Sequence, residues 1–173
     1  RESFVLYDYE NLKNRSEIIK NKFNRNYFKN KKIIEIGGGR NSLLPFFNAK
    51  EKWLCDFDIN EKENLGADKI INKKFSDKLF SSNYFDIVFL FHTLEHIENP
   101  KFFLNSVKKI SNNNSLLFIE VPNITSYIKK YPTYSFFFQH RLVFTNMALI
   151  KLLFNCGYIP KYNLTIKKSS VLF

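Results

Sequence analysis

The chain has 173 residues, a length sufficient for one domain with a sizeable core. Hydrophobic residues make up 45% and charged residues 25%, which is typical of a soluble globular protein. No apolar run approaches the roughly 18 residues that a membrane span requires. The N-terminus has no signal-peptide pattern, so we expect neither a membrane-embedded nor a secreted protein. The formal net charge of +11 is compatible with a nucleic-acid partner or an anionic substrate. Because the lysines are spread along the chain without a long basic run, we favour composition over nucleic-acid binding as the origin of this charge.

The predicted elements begin with an amphipathic helix over residues 10–29, whose apolar side chains recur at mostly helical spacing. Five apolar segments predict strands, at residues 31–36, 52–58, 67–72, 85–91 and 116–122. A helix is expected to start at residues 42–47, and another spans 99–110 behind Pro100. Residues 112–115 predict a turn before the fifth strand.

The segment 145–158 predicts a capped helix, with Thr145 before it and Gly157 after it. Residues 158–166 and 170–173 predict two final strands that form an antiparallel edge. Strands that alternate with helices indicate an α/β, Rossmann-like doubly wound sheet, mostly parallel, with helices on both faces. We expect a single domain over the whole chain.

The two cysteines, Cys55 and Cys156, have neither metal-binding nor redox spacing, which predicts reduced, buried thiols. This pattern favours a cytoplasmic protein. The first residue is Arg rather than Met, so we expect a trimmed or partly ordered chain.

Three glycines, Gly37, Gly38 and Gly39, follow the first predicted strand directly. Glycine lets the backbone approach a ligand closely, and a helix N-terminus offers free N–H groups. Asp58, at the end of the second strand, can accept hydrogen bonds from both hydroxyls of a ribose. Glu35 lies within the first strand, where burying a carboxylate is costly unless it meets donors or the glycine loop. Together these residues predict a nucleotide site at the carboxyl ends of the strands, although a G-x-G alone is also typical of a tight turn.

Two nucleotide-binding patterns are compatible with the glycines. A dinucleotide fingerprint requires a third glycine or alanine where this chain has Ser42. The segment EIGGG, at residues 35–39, instead resembles the E/D-x-G-x-G loop of class I S-adenosylmethionine (SAM)-dependent methyltransferases. Three later segments resemble further motifs of that family in the same order, at residues 85–100, 110–123 and 139–158. The resemblance extends from about residue 33 to residue 158.

The resemblance implies a helical cap over residues 1–30, a Rossmann-like core over 31–173 and an acceptor lid over 123–144. It implies SAM as the methyl donor, with its methionine part at the glycine loop and its ribose on Asp58, or on Asp56 if the strand ends earlier. The residues that the resemblance places at the donor are Glu35, Gly37, Gly38, Gly39, Asp58, Phe91 and His92.

The chain has three histidines, His92, His96 and His140. His92 and His96 are four residues apart, so both side chains share one face if a helix begins there, with Glu95 adjacent. Imidazole and carboxylate donors in this H-x-x-E-H spacing suit Zn, Mn, Fe or Ni. His140 belongs to a segment that is expected to fold back over the strand ends. The predicted metal ligands are His92, Glu95, His96 and His140.

The same spacing resembles the E-x-x-E-H motif of ubiquinone-type and small-RNA 2′-O-methyltransferases, which use it for a divalent ion. His92 replaces the first Glu of that motif, which would shift the preference from Mg toward softer ions. L-E-H is also widespread in methyltransferases that use no metal. Three roles therefore stay open for His92, His96 and His140: metal ligation, a metal-free catalytic base, and structural packing.

The resemblance implies methyl transfer from SAM to a small polar or anionic acceptor. The favoured target is an oxygen of hydroxyl, phosphate or phosphoramidate type, oriented by the histidines or by Arg40 or Arg141. A precursor of a surface polysaccharide or capsule is the setting that we favour, with neither a nucleic-acid nor a membrane partner. Two alternatives are RNA 2′-O-methylation and a catalytically inactive SAM-binding protein.

Overall fold

The structure, a computed structural model, describes residues 2–24, 26–59, 65–128, 140–161, 164–166 and 170–172. Within these residues, seven strands form one sheet: β1 (Lys32–Ile36), β2 (Glu51–Asp56), β3 (Lys69–Asn72), β4 (Phe85–Phe91), β5 (Ser111–Pro122), β6 (Leu164–Ile166) and β7 (Ser170–Leu172). The strand order is β3-β2-β1-β4-β5-β7-β6. β1 to β5 are parallel, and β7 pairs antiparallel with both β5 and β6. The predicted mostly parallel sheet with an antiparallel C-terminal edge is confirmed.

Helices cover both faces of the sheet, as predicted. The described helices are α1 (Glu2–Lys20), α2 (Pro100–Ile110), α3 (Ile124–Tyr127) and α4 (Asn146–Asn155). On one face, Ile19 of α1 packs in a cluster with Ile33 and Phe89 of the sheet. On the other face, side chains of α2 and α4 pack with Ile34 and Val88. None of the described helices combines the length and apolar character that a membrane span requires.

The first helix differs from its predicted bounds of 10–29, since it begins at Glu2 and ends at Lys20. Asparagine competes for backbone hydrogen bonds and is a weak helix former, and Asn21, Asn24 and Asn26 all follow Lys20. The chain forms turns after Lys20, and the aromatic side chains of the predicted helix pack in the core cluster from these turns.

The helix expected at residues 42–47 does not form. Two short 3₁₀ turns, Gly39–Asn41 and Leu44–Phe46, take its place. Pro45 lacks a backbone N–H, and β2 begins at Glu51, so there are too few residues for an α-helix. Leu43, Leu44 and Phe47 still bury their side chains; they belong to the same core cluster as Ile19.

The turn predicted at residues 112–115 is also wrong, because β5 already begins at Ser111. The pairing between β4 and β5 shifts register between Phe85 and Ile87, which accommodates the extra residues as a bulge. The side-chain amide of Asn112 donates to Asp86 Oδ1 at 2.6 Å and fixes this end of the strand.

The caps of the last helix are as predicted. The Thr145 hydroxyl accepts a hydrogen bond from the Ala148 N–H at 3.1 Å. Gly157 has a φ of +76°, the left-handed conformation that ends a helix. Helix α4 itself stops at Asn155, three residues before the predicted end.

Candidate functional site

The glycine loop after β1 has no room for a side chain at Gly37 or Gly38. Gly37 has a φ of +77°, and a Cβ atom there would lie 2.5 Å from Thr93 Oγ1. The Thr93 hydroxyl donates to the Ile36 carbonyl at 2.9 Å and so joins the ends of β1 and β4. A Cβ at Gly38 would lie 2.6 Å from Cδ of Glu35. The loop therefore presents bare backbone at the carboxyl edge of the sheet.

Glu35 lies beneath this loop with its carboxylate fully buried. Its Oε2 accepts hydrogen bonds from the Ser42 hydroxyl at 2.7 Å and the Leu43 N–H at 2.9 Å. Burial raises the pKa of Glu35 to about 7, against the lowering effect of these hydrogen bonds. Its other oxygen, Oε1, has no hydrogen-bond partner among the described residues. Glu35 thus holds the loop in shape, and its predicted contact with the methionine part of SAM stays a prediction.

Two carboxylates stand at the end of β2. The strand ends at Asp56, and the Asp58 N–H donates to Asp56 Oδ1 at 3.1 Å, which turns the chain away from the sheet. Asp56 faces the glycine loop, since a Cβ at Gly39 would lie 3.5 Å from its Oδ2. Asp58 is exposed two residues beyond the strand. The structure therefore places the Asp56 carboxylate at the loop, and the ribose contact of Asp58 stays a prediction.

A cavity of about 310 Å³ opens beside the glycine loop. It is lined by Asn11, Leu12, Arg15, Gly37, Gly38, Asn41, Phe91 and His92. Gly37, Gly38, Phe91 and His92 were predicted at the donor, and the structure brings all four to one cavity. Arg15 and the other α1 residues were not predicted.

A signal for Arg15 was nonetheless present in the sequence. Leu12, Arg15 and Ile19 are spaced three and four residues apart, so a charged residue stands on the apolar stripe of α1. A charge on a buried stripe requires a partner, and the structure supplies one. The Arg15 guanidinium lies 3.1 Å from Glu120 Oε1, and Glu120 is fully buried at the end of β5.

His92 stands at the centre of this charged group, with a φ of +51° at the end of β4. Its Nδ1 lies 3.3 Å from Glu95 Oε1. Its Nε2 lies 3.0 Å from an Arg15 nitrogen and 3.3 Å from Glu120 Oε1. A neutral ring can accept from Arg15 at Nε2, whereas a protonated ring donates to Glu120. Burial disfavours the charged ring, but the hydrogen bonds to Glu120 and Glu95 outweigh it and raise the pKa of His92 to about 9.

Three of the four predicted metal ligands form a compact set. One ligand atom from each of Glu95, His96 and His140 lies within 4.8 Å of the other two. The His96 and His140 rings are 5.1 Å apart, and the Leu142 N–H donates to the Glu95 carbonyl at 3.0 Å, which holds this segment against the turn after β4. Glu95 is buried, and its Oε2 lacks a hydrogen-bond partner within the described part of the chain.

The fourth predicted ligand, His92, is outside this set of three, although it contacts Glu95. Its ring nitrogens are directed to Glu95 and to the Arg15–Glu120 pair. Burial also lowers the pKa of His140 from its ordinary value. Near neutral pH the His92 ring is therefore protonated and the His140 ring is neutral. The sequence pattern does not predict this difference.

The remaining predicted groups lie further out. Arg141 pairs with Glu98 at 3.2 Å, where both side chains are largely exposed, and Arg40 is exposed in the glycine loop. The two ends of the predicted acceptor lid meet, since the Ile124 N–H donates to the Phe144 carbonyl at 3.0 Å. Residues 129–139 of that lid lie outside the described residues.

Strand order, glycine loop and edge cavity together define the class I methyltransferase fold, and solved structures share it. A SAM-dependent methyltransferase from Aquifex aeolicus matches with a TM-score of 0.69 and 15% identity over 91% of this chain and 86% of that one. One from Archaeoglobus fulgidus matches with a TM-score of 0.59 and 22% identity over 82% and 68%. The 1,6-didemethyltoxoflavin-N1-methyltransferase of Burkholderia thailandensis, solved with S-adenosylhomocysteine (SAH), matches with a TM-score of 0.70 and 12% identity over 99% and 84%.

The family is established by the sequence itself. The model of the family described as "Methyltransferase domain" matches residues 10–158. The chain belongs to this family and is a SAM-dependent methyltransferase of class I. A comparison with curated proteins gave no match.

Proposed function

We propose that the protein transfers the methyl group of SAM to an oxygen of a small polar or anionic acceptor. The observation that carries this proposal is the group of Glu95, His96 and His140, which adjoins the cavity wall through His92, whose Nδ1 lies 3.3 Å from Glu95 Oε1. Nitrogen and carboxylate groups placed there can accept a proton from a hydroxyl or hold a cation that orients an acceptor oxygen.

Two features of the cavity wall suit the donor: bare backbone and a cation. Bare backbone at Gly37 and Gly38 lets a ligand approach closely, and a Cβ atom at either position would collide with neighbouring side chains. The amino-acid end of SAM carries a carboxylate, and the Arg15 guanidinium is a cation in the cavity wall that can bind it in a bidentate manner. Asp58, or Asp56 beside the loop, accepts hydrogen bonds from the ribose hydroxyls.

SAM supplies an electrophilic methyl group on a positively charged sulfur, so the protein has to align the acceptor, exclude water and remove a proton. His92 is poorly suited to removing it, because its raised pKa keeps the ring protonated at neutral pH. His140, whose pKa is lowered by burial, is neutral there and can accept the proton. An acceptor that is already anionic needs only orientation.

A divalent cation fits the same residues. Glu95 Oε2 is a buried carboxylate oxygen without a partner in the described residues, and His96 and His140 add two ring nitrogens. This donor set suits Mn, Fe, Zn or Ni better than Mg, because nitrogen ligands favour softer ions. The cation would act as a Lewis acid that lowers the pKa of an acceptor hydroxyl. Metal ligation and proton transfer by the same histidine exclude each other.

We further propose an anionic precursor of a surface polysaccharide or capsule, handled in the cytoplasm, as the acceptor. The net charge of +11 is compatible with an anionic acceptor, since a positive field raises its local concentration.

The proposal is tested by incubating the protein with SAM labelled with ¹³C in its methyl group and with pools of sugar phosphates, nucleotide sugars and RNA. The carbon chemical shift of the product separates an O-methyl from an N-methyl or S-methyl group. We expect an O-methyl signal from a small anionic sugar. An N-methyl or S-methyl product, or labelling of RNA alone, would contradict the proposal.

A further inference from the structure

Helices α2 and α4 carry large apolar side chains on their outer surface. Phe102, Met147, Phe154 and Ile159 are 67%, 73%, 70% and 83% exposed. Single exposed apolar residues are common, but a group of neighbours marks an interaction surface. We refer to the solvent-facing side of α2, α4 and residues 156–161 as the α2–α4 face.

The segment that follows α4 contacts α2 and brings the ends of the two helices together. The C-terminal end of α4 lies against the first turns of α2, since Cys156 Sγ lies 4.0 Å from the Lys101 carbonyl. The Tyr158 hydroxyl donates to the Leu104 carbonyl at 2.9 Å.

The exposed side chains flank this junction. Phe102 follows Lys101, Phe154 precedes Cys156 by two residues, and Ile159 follows Tyr158. Met147 lies seven residues before Phe154 in α4 and therefore on the same helical stripe.

The charge of this face is of one sign. Helices α2 and α4 and residues 156–161 together contain five lysines and no acidic residue. Lys101, Lys151 and Lys161 are exposed among the apolar side chains. Two acidic residues border the face: Asp77 pairs with Lys109 at 2.9 Å, and Glu98 pairs with Arg141 at 3.2 Å.

We propose that the α2–α4 face docks on an anionic lipid bilayer. Lysines on such a face bind headgroup phosphates, and exposed Phe, Met and Ile side chains enter the boundary between headgroups and acyl chains. A nucleic acid would also bind the lysines, but it would gain little binding free energy from the aliphatic side chains of Met147 and Ile159. The inference is independent of methyl transfer and differs from the sequence-based expectation of no membrane partner.

The experiment is sedimentation of the purified protein with vesicles of phosphatidylcholine, with or without about one-third phosphatidylglycerol, near physiological salt. We expect binding only to the anionic vesicles. The double variant Phe102→Ser/Phe154→Ser should weaken it about tenfold or more, because both rings are about two-thirds exposed and would lose their contact with the acyl chains. Lys101→Gln/Lys151→Gln should weaken it by a similar factor.

The matched control is Lys29→Gln/Lys50→Gln, which removes the same charge from exposed positions outside the two helices and should bind normally. Thermal unfolding of each variant confirms its fold. Three results would overturn the proposal: no binding to anionic vesicles, equal loss in the control pair, or retention by single-stranded RNA without any vesicle binding.

Discussion

His92 and Glu120 face each other across the carboxyl ends of β4 and β5, with Nε2 and Oε1 3.3 Å apart. Glu120 is fully buried, and Arg15 reaches both residues from α1. The N-terminal helix is therefore tied to the sheet at the wall of the donor cavity by an ionic contact rather than by apolar packing alone.

This pair predicts a stability that depends on pH. The pKa of His92 is about 9 in the folded chain and 6.5 ordinarily, so its contribution is fully present below pH 6.5 and is lost as the pH rises through 9. About a third of the side chain is exposed (36%), so screening reduces the contribution to about 1–2 kcal/mol. Urea unfolding between pH 6 and pH 10 with EDTA present measures it. His92→Asn, which tolerates the positive φ, should flatten the profile; an unchanged profile would count against the pair.

Arg15 is predicted to bind the carboxylate of the donor. Arg15→Met should weaken SAH binding about tenfold to a hundredfold, the range for a lost charge-assisted hydrogen bond. 5′-Methylthioadenosine lacks the carboxylate and should bind the variant and the unmodified protein alike. Lys13→Met, an exposed position on the same helix, is the control. Calorimetric titration that shows equal losses for both ligands would assign Arg15 a structural role only.

The two carboxylates after β2 can be separated by mutation. Asp58→Ala should weaken SAH binding about a hundredfold, because two hydroxyl hydrogen bonds to a charged group are lost. Asp56→Ala should have a smaller effect, through the turn that it stabilises. Glu17→Ala removes an exposed carboxylate as a control. If Asp58→Ala binds SAH with near-normal affinity and Asp56→Ala loses binding, the ribose contact is assigned to Asp56 instead.

The candidate metal site predicts a copurifying ion. Elemental analysis of the protein should show about one divalent metal per chain, and His96→Ala/His140→Ala should remove it. His92→Asn should retain the metal, since the ring nitrogens of His92 are directed to Glu95 and to the Arg15–Glu120 pair. No stoichiometric metal in the unmodified protein would leave the two histidines as base or packing residues.

The sequence predicts the sheet well because its signals are local. Apolar runs bounded by glycine or acidic residues place β1 to β4 within a few residues, and Thr145 and Gly157 mark the last helix. Residues 42–47 do not form the helix that their apolar pattern predicts, because Pro45 and the short connection to β2 prevent it. The bulge at Ser111 depends on pairing with β4, which no local pattern encodes.

The residues of the candidate site also fall into those that a local sequence signal predicts and those that only the fold brings together. The glycines directly follow β1, and Phe91 and His92 lie at the end of β4, so their positions in the sequence predict them. Arg15 lies 77 residues before His92, and only the fold brings them together. A charged residue on an apolar stripe indicates a charge that is buried and paired. In this sequence Arg15 in α1 and Glu120 in β5 are such residues.

The central claim is that SAM binds at the glycine loop, and calorimetric titration with SAH tests it most directly. The protein should bind SAH at one site, and Gly38→Val should abolish binding, because its Cβ would lie 2.6 Å from Cδ of Glu35. Folded protein that shows no saturable binding, or a folded Gly38→Val variant that binds as tightly as the unmodified protein, would contradict the account.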